Sequence, residues 1–280
     1  MNGRGQADVS QQLVAVSTGP GDLIRHWRRA RGMSQMALAL EVGVSARHMS
    51  FVETGRSKPS RDLVLRLATL LEIPSREENS LLERTGYARR HRESELSDPD
   101  LGQVRKVLRF LLDRHEPNSA LVVDRHWNIV MSNEAHRSTV RFFTHGRDVP
   151  IEVQENLLRL TFHPEGMRPY IVNWHVVGPT LLARVERESA SAPSDDRLAD
   201  LIHEVRQYSP VPPLELGPDI ADQLLLPLQL RKGDVDLKLF SVLSTIGSAI
   251  DLVLQELMIE TFFPADRATE DQLAELRGRS

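Results

Sequence analysis

The stretch Arg31 to Ser60, RGMSQMALALEVGVSARHMSFVETGRSKPS, leaves its chain few ways to fold. Ser34 can N-cap a helix from Gln35 to Val42, because its hydroxyl can accept an amide hydrogen otherwise unpaired at a helix start. Gly43 then ends that helix, at a position just past the last turn where a positive φ is usually needed and glycine adopts it freely. Ser45 caps a second helix running to about Glu53. Leu38, Val44, Met49 and Val52 are spaced to face inward where the two helices cross, and Ala39 is small enough to let the backbones approach. Gln35, Ala46, Arg47, His48, Ser50 and Thr54 are left pointing outward. The pattern predicts a helix-turn-helix.

That outward set suits reading of a DNA major groove. The first half of a recognition helix can lie against base edges, where Arg47 offers a bidentate contact to guanine and Ser50 can donate or accept. Ser45 and Ala46 stand at the helix start, Thr54 at its end, and Gln35, Arg56 and Lys58 flank it where phosphates would run. A plain helical hairpin with a solvated polar face has the same spacing. The stretch also resembles the DNA-binding domain of the lambda-repressor type, the xenobiotic response element family. That family's pattern of arginine-glycine-apolar-SQ, LA, GVS, apolar-S, E and GR followed by PS runs almost unbroken here, within about Asp22 to Leu71. The resemblance implies a double-stranded DNA operator as partner. Because such heads bind paired half-sites, it also implies a homodimer.

Charge divides the chain in the same place. Residues 20–92 hold 14 Lys and Arg against 8 Asp and Glu, whereas residues 93–280 hold 20 against 30. Only the first part, at +6, has the electrostatic footprint of a polyanion binder; the rest stands at −10. Zero cysteines exclude disulfides, thiolate zinc sites and cysteine nucleophiles. The longest apolar runs, such as LLLPLQL from Leu224, fall far short of the roughly 18 residues of a spanning helix, and the start of the chain lacks a signal-type apolar core. The expectation is a cytoplasmic protein with no membrane partner.

Read in order, residues 1–19 are a flexible tail and residues 20–90 an all-α helix-turn-helix domain of five short helices. The first carries Leu23, Ile24 and Trp27 inward and Arg25, Arg28 and Arg29 outward. Ser60 caps the fourth, and Ser75 with Glu78 forms a capping box for the fifth. The charged residues 91–100 are a linker. A helix follows with Leu101, Val104, Leu108 and Leu111 on one side, then ALVVD and NIVMSN as a hairpin. Helices are expected over about Asn133–Phe143, Ile151–Leu160, Arg168–Ser189 and Asp195–Tyr208. Leu224, Leu226, Leu228 and Leu230 alternate, RKGD turns, and Val235, Leu237 and Leu239 alternate after it; Ile250, Leu252 and Leu254 make a third strand. Residues 101–268 thus form an α+β domain, ahead of a polar tail helix in residues 269–280; the order fits a PAS-like domain, with a five-stranded antiparallel sheet and helices on one face, and fits an unspecified α+β domain equally well.

Three segments of this part resemble the ligand-binding domain of the MmyB-like transcription regulators. They are LVVDRHWNIVMSNEA, NLLRLTFHPEGMRPYIVNWHVVGPTLLARVERE and LPLQLRKGDVDLKLFSVLSTIGSAIDLVLQELMIETFFPAD. The resemblance implies a PAS-like domain that binds a small apolar or fatty-acid-like ligand. Leu226, Leu228, Leu237, Leu239 and Leu252 would then floor an elongated pocket, and Arg168, Tyr170 and Asn173 would form a polar gate. A buried Arg168 needs a partner, either a ligand carboxylate or an internal salt bridge to Glu165 or Asp124.

Catalytic signatures are missing: there is no HExxH, GxSxG, GxGxxG or Walker loop, and no two of the ten histidines stand at i, i+4. No cofactor or metal is called for. The expectation is a ligand-responsive, DNA-binding transcriptional regulator and not an enzyme. The alternative keeps the same head and makes the C-terminal region a dimerisation or docking module without a ligand.

Overall fold

Three serines start three helices. In the computed structural model, which describes residues 19–93, 101–213, 228–246 and 251–278, Ser34, Ser45 and Ser60 accept hydrogen bonds from the amides of Ala37, His48 and Leu63 at 3.1, 3.1 and 3.2 Å. They open α2 (Gln35–Glu41), α3 (Ala46–Glu53) and α4 (Arg61–Leu70). With α1 (Pro20–Ala30) and α5 (Ser75–Arg84) these form the first of two compact units, which ends at His91. Gly43 has φ 72°, and the amides of Gly43 and Val44 bond back to Leu40 and Ala39, which closes α2. Gly21 lets α1 meet α3, since a Cβ there would lie 2.6 Å from the Val52 and Glu53 carbonyl oxygens. Ile24, Leu38, Met49, Leu67 and Leu82 fill the core. Ser75 differs from expectation. Pro74 takes the capping position and its carbonyl accepts from the Glu78 amide, so Ser75 is the first helical residue and Glu78 pairs with Arg90 and His91.

The second unit starts at Arg92. Its helix α6 (Gly102–Arg114) is followed by the hairpin β1 (Ala120–Val123) and β2 (Ile129–Ser132), then α7 (Glu134–Thr144). The expected helix over Ile151–Leu160 is two, α8 (Ile151–Gln154) and α9 (Leu157–Phe162). Asn156 divides them: its side chain accepts from the Arg159 amide and donates to the His126 carbonyl. The next helix is shorter than expected as well. Arg168–Tyr170 is a single 3-10 turn, and α10 begins at Trp174 and runs to Ala190. Between them Ile171 bridges to Leu230 and the Val172 amide donates to Gln229, which holds the chain extended. Helix α11 spans Asp196–Tyr208.

Strands β3 (Leu228–Lys232) and β4 (Val235–Thr245) turn at Gly233, with φ 57°. Leu224, Leu226 and Ile250 lie outside the described residues. The third C-terminal strand is not at 250–254. Asp251 accepts from the Val253 amide and caps a short helix α12 (Leu252–Gln255), and the strand β5 is Met258–Pro264. Leu254 of this helix and Leu257 just beyond it are buried. The segment expected as a polar tail is helix α13 (Arg267–Gly278), whose Leu273 and Leu276, one turn apart, pack into the domain core.

All pairings are antiparallel, in the order β2-β1-β5-β4-β3, so the last strand enters between the first hairpin and the second. This is a PAS-like sheet. Alternation sends Leu121, Val123, Leu230, Leu237 and Leu239 to the face covered by α7, α9, α10, α11 and α13. Helices do not keep to one face, however: Leu108 and Leu112 of α6 pack with Ala120, Val122 and Ile259 on the other.

Candidate functional site

In the first unit the outward surface of α3 presents Ala46, Arg47 and Thr54 to solvent, with His48 and Ser50 half-buried beside them. The Arg47 guanidinium rests 5.4 Å from the Phe51 ring centre, and the residue stays exposed. Arg56 is exposed, and Lys58 sits 4.7 Å from the Tyr87 ring centre. Gln35 is committed inward instead. Its amide donates to Glu53 at 3.0 Å.

Glu53 is what sequence reading overlooked. Its carboxylate is buried and takes two bonds from Arg28, at 2.6 and 3.1 Å, while Arg25 donates to its backbone carbonyl at 2.7 Å. Burial alone would raise this carboxyl, but the bonds from Arg28 and Gln35 and the charges of Arg28 and Arg25 outweigh it and hold it below the usual range. Two of the three arginines expected to face outward from α1 therefore fix α1 to α3 and set the angle at which α3 is presented.

The second unit encloses a cavity of about 340 Å³, within the size of small-molecule sites. One wall is α10, which contributes in order Val176, Val177, Thr180, Leu181, Arg184 and Arg187; the facing wall is Leu228, Leu230, Leu239, Ser241, Leu243, Glu260 and Phe262 from the sheet. Both walls change character in the same direction. At one end Ile171, Val176, Leu228, Leu230 and Leu239 are apolar; at the other Ser241 and Glu260 stand near Arg184, whose charge acts on Glu260. Among the described lining residues only Arg187 and Leu243 are exposed, so the cavity opens at its polar end. Arg184 is tied to Glu188 at 2.8 Å, to the Met258 sulfur at 3.1 Å and over the Trp127 ring at 5.2 Å. From α7, His136 lines the cavity with its ring bonded to Ser119 at 3.0 Å, and burial pushes its pKa down to about 4. The buried Thr180 hydroxyl has no partner among the described residues.

The residues expected to shape the pocket divide. Leu228 and Leu239 line it. Leu237 lies deeper in the core, and Leu252 belongs to α12 and does not line the cavity. Arg168, Tyr170 and Asn173 do not gate it. The Arg168 guanidinium stacks on Trp174, 4.3 Å from the ring centre, and takes neither proposed salt bridge. Glu165 pairs with Arg147, while Asp124 holds the His126 and Asn128 amides. Tyr170 accepts from Arg147, and Asn173 accepts from the Gln229 amide, so both secure the entry to α10. No cluster of metal-ligating side chains and no helix long and apolar enough to cross a membrane occurs among the described residues.

Residues 104–276 match the MmyB-like transcription regulator ligand binding domain, and residues 21–82 match a helix-turn-helix domain. No curated protein matches the chain. Among solved structures, the chain is similar to an RNA-binding light-oxygen-voltage receptor at 12% identity and a TM-score of 0.28, with 94% of this chain covered. It spans 63% of that receptor's chain.

Proposed function

The chain belongs to the MmyB-like transcription regulators, with a DNA-binding helix-turn-helix head and a ligand-binding domain, and we propose that the cavity of that domain takes an elongated, fatty-acid-like ligand. The observation behind this reading is the cavity's polarity. An acyl chain would lie along the leucine-lined end, and its carboxylate would meet Arg187 at the exposed mouth, in place of Arg168, which does not line the cavity. Organic extraction of the purified protein should release lipid, and an acyl compound at about 100 times its dissociation constant should add roughly 2.7 kcal/mol to stability. If no lipid is released and no acyl compound shifts the melting curve, the cavity is unfilled and the domain serves dimerisation or docking.

On the DNA side, the head reads an operator through Arg47, while Ser45, Ala46, Ser50 and Thr54 line the approach and Arg56 and Lys58 meet phosphates. Arg47→Ala should weaken operator binding by about 1–3 kcal/mol and leave random DNA little affected; Lys58→Ala should weaken both alike and flatten the salt dependence. Equal losses for Arg47→Ala on both DNAs would make it a phosphate contact. The active form would be a cytoplasmic homodimer. Val107, Phe110 and Leu111 share one face of α6 and are 53, 57 and 46% exposed, an apolar strip suited to a second copy.

A further inference from the structure

Strand β5 brings a carboxylate to the helix-facing side of the sheet. Glu260 pairs with Leu121 of β1 on one side and Leu243 of β4 on the other, and the inner-face positions around it, Met258, Phe262 and Leu239, are apolar. Ser241 is the polar neighbour and hydrogen-bonds to it. Burial pushes the Glu260 carboxyl above its ordinary range, against the Ser241 bond and the Arg184 charge. Arg184 is itself engaged by Glu188, and from α7 the facing His136 is held neutral. Glu260 is therefore not one half of a saturated ion pair. It is an acid group in a cavity wall, with hydrogen-bonding capacity directed into the space.

A plain alkyl chain would strip water from this group and offer nothing in return. A ligand oxygen at that level would replace the lost bond. Arg184, whose charge reaches Glu260, and Arg187 at the mouth are one turn apart on α10, about 4.5 Å of axial rise. The oxygen therefore belongs close behind the headgroup. We infer that the ligand is an oxygenated acyl compound, with its carboxylate at Arg187 and a hydroxyl or oxo group a few carbons further in, bonded to Glu260 and Ser241. This rests on the acyl reading of the cavity and adds to it a preference among acyl compounds.

The test uses the full chain, freed of lipid by extraction, and titrates dodecanoic acid, its β-hydroxy derivative and its ω-hydroxy derivative. Wild type should bind the β-hydroxy acid about tenfold or more tightly than either of the others, the factor expected for one buried hydrogen bond. Glu260→Leu should bind the plain acid at least as well as wild type does and lose the preference. If Glu260→Leu does not fold, Ser241→Ala serves in its place and should reduce the preference severalfold. Equal binding of the three acids by wild type, or a preference that survives both substitutions, overturns the inference and leaves the acyl reading intact. Binding of none of them by wild type overturns the acyl reading itself.

Discussion

The head and the larger domain treat interior space differently. In the head, Leu38, Met49, Leu67 and Leu82 fill the region between short helices, and the buried Glu53 carboxylate has its oxygens taken by Arg28 and Gln35. In the larger domain, α10 is held near its two ends, by Asn173 to the Gln229 amide and by Glu188 to the Trp127 indole at 3.1 Å, and about 340 Å³ lies along the helix between these ties. The lesson is that a rigid presenting surface wants a filled interior with its buried charge paired, whereas a receiving domain fixes its walls at the edges and leaves polar groups such as Glu260 and Thr180 lining the space between them.

Substitutions should expose this contrast at decreasing scales. The largest effect belongs to Glu53→Ala, which leaves Arg28 buried without its carboxylate and should cost the head about 3–5 kcal/mol. Thermal unfolding should then separate into two transitions, with only the head's falling; a parallel fall of both would mean the two units unfold as one. The next concerns acid. Below its ordinary pKa of 6.5 the unfolded chain protonates His136, which the folded domain resists until about pH 4, so stability is full above that window and is lost as pH falls through it. The loss should reach on the order of 3 kcal/mol, and His136→Gln should remove this part of the pH dependence. The smallest effect is that of filling. Leu181→Phe, directed into the cavity, should change stability by less than about 1 kcal/mol while abolishing lipid retention, whereas Ala39→Leu in the solid head should cost about 1–3 kcal/mol.

What could be read from the sequence was local. The caps Ser34, Ser45 and Ser60, the Gly43 turn and the alternation of Leu228 with Leu230 and Leu237 with Leu239 each depend on residues a few positions apart, and each of these elements stands where those signals place it. What escaped was tertiary. Arg28 and Glu53 are 25 residues apart, and nothing in either segment names the other. Glu260 was hidden because Leu252 and Leu254, spaced by two, read as a strand until Asp251 caps them into a helix. With the strand placed there, the glutamate in MIETFFP had no inner face to lie on. Arg168 misled in the opposite way, since its guanidinium packs on Trp174, six positions on in the chain, and its buried Nε has no hydrogen-bond partner among the described residues.

The cavity would also give the molecule a mechanical asymmetry whenever it is empty. Hydrostatic pressure favours whichever state occupies less volume, and unfolding removes internal voids, so without an occupant the domain that contains the cavity would be the pressure-sensitive part of this chain. Its leucine-lined end offers water few partners and would stay dry when empty. An occupant there would do more than add contacts: it would take up the compressible space and make the receiving domain as stiff as the head.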